Sequence, residues 1–364
     1  MEFDIYSTIF MEALIREKPR VYSFLRDRYF SGAVSIFKTQ KVLVDYDDGE
    51  GNLLAPFVVP RVGKVPMERA GYETRELAPS NIAPSRLLSI DDLEKRMAGE
   101  SLVSTLTPAQ RERQYLVGDL DFLDKAITRS EEWMCAGTLL DNACEIIHIG
   151  DKEDKGVKFE ARFYDGNENP GVFKPAAKWE AGTATKRGTW YDEVCRHAAS
   201  LMDIGRTVTD LVLGPDAGEM VQSDPWVIAM MDNRRMEIGK IDPQWKENGV
   251  IYIGQLNFGG VMLDVMVYRG TYQEKDRKTG KLVTRQYFPP AGALLAAPNT
   301  GKLRYGMVTQ VEMDGKTYSR TGTRIPKHNV NVDSNMKETI LTARPLAAPI
   351  MKSPWRACRD VFKI

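Results

Sequence analysis

Four cysteines and three histidines in 364 residues leave little material for redox or metal chemistry. Cys135, Cys144, Cys195 and Cys358 lack the CxxC spacing of a zinc site and the density of a disulfide scaffold, so they read as reduced and mostly buried. His148, His197 and His328 have no second His, Cys or acid at metal-ligand spacing, which leaves them structural or surface roles. Cys195 and His197 are two apart, roughly 200° around a helix, which is wrong for a thiolate–imidazole pair. No GxGxxG, P-loop, GxSxG or SxxK motif occurs, so the usual phosphate cradles and activated serines are missing. No apolar run approaches the ~20 residues that span a bilayer, and Met1-Glu2-Phe3-Asp4 does not open like a signal peptide. The chain is expected to stay where it is made, with no membrane partner. Net charge is missing too: 50 basic residues face 50 acidic ones, which argues against a protein that wraps nucleic acid for affinity.

What remains is an ordinary globular composition, 43% hydrophobic and 27% charged, long enough for two domains or one elaborate one. The acidic neighbours Asp47–Asp48, Asp91–Asp92 and Glu131–Glu132 read as solvated turn or helix-surface charges rather than as an acid and a base. No catalytic residue, cofactor or metal is expected.

Along the chain, amphipathic runs on either side of Lys18-Pro19 fit either a helix packed on its own domain or an arm lying on a neighbour. Val42-Leu43-Val44, a Gly/Asp turn at 47–52 and the apolar run from Leu53 to Val59 predict a hairpin. Between Pro60 and Leu88, prolines, glycines and charges dominate. Ala78-Pro79-Ser80 recurs as Ala83-Pro84-Ser85, which reads as a stiffened excursion away from the core. On that reading, exchanging Gly63 to Arg86 for a short Gly-Ser linker leaves the subunit folded.

Thr107 as N-cap, Pro108 at the first helical position and Gln110 at the third form a capping box. Leu116, Leu120, Leu123, Ile127 and Met134 follow as an apolar stripe, predicting a helix over 107–141, about 50 Å long, with these leucines and Ile127 as its core face. A second hairpin is expected over 143–164 and a helix over 190–204. Leu211-Val212-Leu213 reads as a buried strand, strands are expected at 250–256, 261–269 and 282–288, and Lys337 to Ala343 reads as a last strand.

Several segments carry a likeness: Gly260 to Tyr272 (GVMLDVMVYRGTY), Tyr287-Phe288-Pro289-Pro290 with Ala293-Leu294-Leu295, Arg304-Tyr305-Gly306, Ile325-Pro326-Lys327, and Thr339 to Leu346 (TILTARPL). In this order and spacing the chain resembles the major capsid proteins of tailed bacteriophages, in the lambda-type capsid protein E family. The resemblance implies an α+β tailed-phage capsid fold with an N-terminal arm at 1–39 and a peripheral domain at 40–59 and 89–189. It implies an extended loop at 60–88, an axial domain at 190–320 and a return to the peripheral domain at 321–364. In the extended loop, Arg61, Lys64, Glu68, Arg69, Glu73, Arg75 and Glu76 are the expected contacts to an adjacent subunit.

The resemblance further implies self-assembly into hexamers and pentamers of an icosahedral shell around DNA bound without sequence specificity. Its implied partners are scaffolding, portal and decoration proteins, its place is the virion, and its assembly occurs in the host cytoplasm. No fused scaffolding segment is expected before residue 40. A nanocompartment shell of the same fold is the alternative, and a soluble enzyme a more distant one.

Overall fold

The computed structural model describes residues 6–17, 23–47, 72–95, 107–148, 157–164, 166, 168–231, 239–246, 249–276, 279–333 and 335–361. In chain order the elements begin with α1 (Thr8–Glu17), α2 (Phe24–Tyr29), β1 (Ser35–Ile36), β2 (Val42–Asp47), β3 (Tyr72–Leu77), β4 (Ser85–Ser89), α3 (Ile90–Glu94) and α4 (Pro108–Asp141). Next come β5 (Ala143–His148), β6 (Val157–Arg162), α5 (Thr189–Asp203), β7 (Asp210–Leu213), α6 (Pro215–Ser223) and α7 (Pro225–Met231). Then follow β8 (Gly239–Lys246), β9 (Val250–Phe258), β10 (Val261–Tyr268), β11 (Thr271–Lys275), β12 (Leu282–Gln286), β13 (Ala293–Ala296) and β14 (Gly301–Tyr305). The chain closes through β15 (Val308–Val311), β16 (Thr317–Arg320), β17 (Ile325–Asn331), β18 (Met336–Thr342), β19 (Pro345–Pro349) and β20 (Arg356–Cys358).

The long helix α4 begins as its sequence dictates: the Thr107 hydroxyl accepts from the Gln110 amide, and the Gln110 side chain accepts from the Thr107 amide. It ends at Asn142, whose left-handed backbone (φ 49°) suits asparagine. A six-stranded sheet runs in the order β20-β13-β7-β10-β9-β8. Its central strand β7 is wholly buried, because the alternation of a strand sends successive side chains to opposite faces and both faces are covered. Val212, Met266, Leu294 and Ala296 face a cluster with α2, the C-terminal half of α4 and Trp355. Leu211, Leu213, Val265, Val267 and Leu295 face the other way, into a cluster with Trp190, Val194 and Leu201 of α5 and with Ala217 and Val221 of α6.

Several sequence expectations change. β2 pairs antiparallel with β3; the run at 53–59 expected as its hairpin partner lies outside the described residues. The second half of the 60–88 segment belongs to the body. Pro79 and Ser80 are buried, Ile82 exchanges backbone hydrogen bonds with Ala343, and the Pro84 carbonyl accepts from the Leu341 amide. β4 then pairs with β18 in a three-stranded sheet. The prolines there interrupt a strand pairing; they do not stiffen a free arm. Exchanging Gly63 to Arg86 would therefore remove β3, Ile82 and the first two of the five residues of β4.

Of the two readings for the N-terminal runs, the one in which they pack on their own domain holds for the described residues. Met11 sits against Leu116 and Leu120, while Phe24, Leu25, Tyr29 and Phe30 enter the central cluster and β1 pairs with β14. The strand at 336–342 is not the last. β19 pairs with β14, and β20 joins the six-stranded sheet, so that sheet draws on residues beyond 320.

Candidate functional site

The features that bear on a subunit's use are the β2–β3 hairpin, the long helix α4, and the junction holding α4 and α2 to the sheet. On α4, Leu116 is 3% exposed and Leu120, Leu123 and Ile127 are fully buried. Leu123 and Ile127 pack against Leu341 and Ala343.

Of the residues named for the extended loop, Arg61, Lys64, Glu68 and Arg69 lie outside the described residues. Glu73 takes its place on β3 opposite Tyr46. Glu76 is exposed and its carboxylate pairs with Lys41 at 2.9 Å. Arg75 turns back on its own subunit, donating to the carbonyls of Arg162 at 3.3 Å and Tyr164 at 3.4 Å, at the end of β6. β2 and β3 pair only with each other among the described residues.

The junction overturns one expectation. Glu131 and Glu132 are buried, not solvated. Glu131 accepts from Arg324 Nη1 at 2.6 Å and Nη2 at 3.0 Å, from Arg26 Nη1 at 3.2 Å and from the Tyr305 hydroxyl at 2.7 Å. Glu132 lies against the first turn of α2, where its two oxygens accept from the Leu25 amide at 2.9 Å and the Arg26 amide at 2.8 Å. The Tyr268 hydroxyl of β10 adds a third bond at 2.7 Å. A helix start exposes unpaired N–H groups, and Glu132 satisfies two of them where Ser23 makes no side-chain cap.

The other side of α2 is held to the sheet. Arg28 donates to Asp210 with Nε at 2.5 Å and Nη2 at 2.8 Å, and the Tyr29 hydroxyl donates at 3.0 Å. Arg324 also reaches Asp124 at 2.6 Å and Thr128 at 3.3 Å, so it runs along successive turns of α4.

The two adjacent carboxyls are tuned in opposite senses. Burial would raise Glu131, but the Arg324 guanidinium, with Arg26 and Tyr305, outweighs it and holds the carboxyl below the usual range. Burial raises Glu132, because its partners are amides and a phenol that only partly offset the loss of water.

Beside Glu131 a cleft of about 330 Å³ is lined by Glu12, Arg26, Asp124, Tyr305 and Arg324 among others. Arg26, Asp124 and Arg324 are engaged in the same ion-pair network, so the cleft reads as part of the junction. Elsewhere, burial followed by the Arg196 charge pushes His197 down to about 4, and burial raises the Cys195 thiol, so neither residue is activated.

The signal for Glu131 was in the spacing. The stripe skips from Ile127 to Met134, and Glu131 falls four after the first and three before the second, on the buried face.

This architecture of a long helix, a two-stranded β2–β3 hairpin and a sheet covered on both faces is that of a phage capsid subunit. The crystal structure of a prophage capsid protein from Escherichia coli CFT073 superposes with a TM-score of 0.64 at 16% identity, covering 97% of this chain and 98% of that one. The satellite phage P4 procapsid (TM-score 0.43, 10% identity, coverage 98% and 99%) and an encapsulin complex from Synechococcus elongatus PCC 7942 (0.43, 9%, 97% and 96%) are more distant. The sequence model described as phage major capsid protein E matches residues 10–352, and the chain belongs to that family. No curated protein matches the chain. The protein is a shell-forming major capsid protein, a structural component of the virion that associates with copies of itself.

Proposed function

We propose that the β2–β3 hairpin is the arm by which one subunit overlies the next in hexamers and pentamers of an icosahedral shell. The observation that carries this reading is that the two strands pair only with each other among the described residues, and that while Val42 and Val44 on one face pack into the central cluster, Leu43 on the other is 47% exposed. A second copy laid on that face would cover what the subunit leaves open. On this reading Arg61, Lys64, Glu68, Arg69 and Glu73 face the neighbour together with Glu76, and Arg75 fixes the root.

The six-stranded sheet with α5, α6 and α7 serves as the axial domain. The long helix α4 with β5, β6 and the β17-β18-β4 sheet serves as the peripheral one. Scaffolding and portal proteins, and a small decoration protein, are the partners that fit a capsid subunit of this family, with DNA enclosed without sequence recognition. Assembly takes place in the host cytoplasm, and the subunit performs no catalysis. The balanced charge supports enclosure over tight binding, since each neutralised phosphate would add salt-sensitive affinity.

Electron microscopy and sedimentation of the chain, alone and with its scaffold, test the reading. Hexamers, pentamers or closed shells are expected, and a stable monomer across micromolar concentrations with scaffold present would refute it. Cargo protein inside the particles would point to a nanocompartment.

A further inference from the structure

Two arginines from the body grip main-chain oxygens where the β2–β3 hairpin is rooted. Arg304 on β14 is 9% exposed, and its Nη1 donates to the Leu43 carbonyl at 2.5 Å. Arg344, at the joint between β18 and β19, spans the outgoing side. Its Nε donates to the Pro79 carbonyl at 2.7 Å and its Nη1 to the Met307 carbonyl at 3.2 Å. The Met307 amide in turn donates to the Thr39 carbonyl at 2.9 Å, and the Gly306 amide to the Arg344 carbonyl at 3.0 Å. The chain entering the hairpin and the chain leaving it are therefore tied to one short strip, residues 304–307, and to Arg344.

Gly306 lets this strip close up. A Cβ there would lie 3.1 Å from the Gln40 carbonyl oxygen, 3.2 Å from Arg344 Cδ and 3.3 Å from Pro79 Cγ. The bonds that Arg344 makes run to carbonyls, and burial alone shifts its guanidinium below the usual arginine range. A planar fork bound to two carbonyl oxygens fixes the direction of the backbone whatever side chains the hairpin carries.

We propose that Arg344, together with Arg304, is a positioning element that sets the angle at which the β2–β3 hairpin leaves the subunit. The proposal rests on the reading that this hairpin reaches a neighbouring copy. The lever is long enough for the angle to matter. Val42 and Val44 pack into the central cluster, so about three residues of β2 extend beyond it, about 10 Å at ~3.3 Å each, and a tilt of ~10° at the root moves the far end by roughly 2 Å, more than a close-packed contact tolerates.

Arg344→Gln and Arg344→Lys test it, with hydrogen–deuterium exchange on the unassembled subunit and sedimentation of assembled particles. Lysine keeps the charge but offers no fork. Both variants should keep the protection of α4 and of the six-stranded sheet while amides of residues 42–47 and 72–77 exchange several-fold faster, and particle yield should fall at least tenfold. Gly306→Ala, which crowds the same strip without removing the guanidinium, should show the same pattern more weakly.

Unchanged hairpin exchange in Arg344→Gln, or normal particles from Arg344→Lys, would overturn the proposal. So would a loss of protection throughout the subunit in all three variants, which would make the arginine general core support. A chain with residues 48–71 replaced by a tight turn separates the two claims. Normal assembly of that chain refutes the arm reading, and the exchange measurement still decides whether Arg344 holds the root.

Discussion

The adjacent carboxyls of α4 offer the sharpest test of the junction, because removing the charge from one should cost more than from its neighbour. In Glu131→Gln the guanidinia of Arg324, 11% exposed, and Arg26, 8% exposed, lose the buried carboxylate between them, and the carboxylates of Asp124 and Asp27 remain beside them. Breaking a buried pair in this way costs about 3–5 kcal/mol, roughly a fifth or more of the stability of a typical domain. In Glu132→Gln the amide oxygen can accept from only one of the Leu25 and Arg26 amides, because the nitrogen then faces the other donor, while the cost of burying a charge disappears. A loss of about 1–3 kcal/mol from the unpaired amide, partly offset by that gain, is expected.

Urea midpoints at neutral pH measure both variants, and pH adds a second signature. The Glu131 carboxyl lies below its unfolded value, so its contribution is present above that value and is lost as pH falls through the folded one. Glu132 lies above its unfolded value, so the fold loses stability as pH rises from there through the folded value. Glu131→Gln should therefore flatten the acid-side fall in stability, and Glu132→Gln should leave it in place. Equal losses for the two variants, or a larger one for Glu132→Gln, would refute the division of roles.

Leu120→Asp places a charge at a fully buried site and should cost at least ~4 kcal/mol and abolish soluble subunit, whereas Arg113→Ala on the exposed face should cost under ~1 kcal/mol; soluble yield and thermal melting compare them. Asp210→Asn removes the carboxylate charge and one of the two oxygens that accept from Arg28 and Tyr29, and because Arg28 is 28% exposed the loss should be a moderate ~1–3 kcal/mol by urea midpoint. Replacing 48–71 with a tight turn should preserve the circular dichroism and melting of the subunit, whereas replacing 63–86 with a Gly-Ser linker should destabilise it by removing β3, Ile82 and the start of β4; equal melting of the two chains would contradict the placement of β3 and Ile82.

What could be read from sequence was local. The capping box at Thr107 and the stripe from Leu116 onward depend on neighbours within a few residues, and α4 starts and buries its face where they indicate. The β5–β6 hairpin and the α5 helix are likewise written in short-range spacing. The failures were questions of partnership. Nothing near Val42 says that its strand pairs with Tyr72–Leu77 across a long excursion, and apolar residues at 53–59 offered a nearer candidate. The Ala-Pro-Ser units resemble a stiff linker because proline is conspicuous, whereas Ile82, whose backbone pairs with Ala343, is not. Glu131 and Glu132 were misread because adjacent acids are usually solvated. Their partners at Arg26, Tyr268, Tyr305 and Arg324 are remote in sequence.

Those remote partners connect composition to use. Acidic and basic residues balance over the chain, and several of the buried pairs join segments far apart in sequence: Arg28 with Asp210, Arg26 with Glu131, and Arg324 with Asp124 and Glu131. Such pairs add little net stability over well-packed apolar residues, yet each is satisfied in only one geometry. A shell reuses the same few contacts many times, so modest contacts become strong collectively provided every copy presents them at the same angle. A subunit under that demand gains more from directional bonds at its joints than from a larger core. The junction at α2 and the arginines at the root of the hairpin supply directional bonds at the places where a change of angle would be carried furthest from the body.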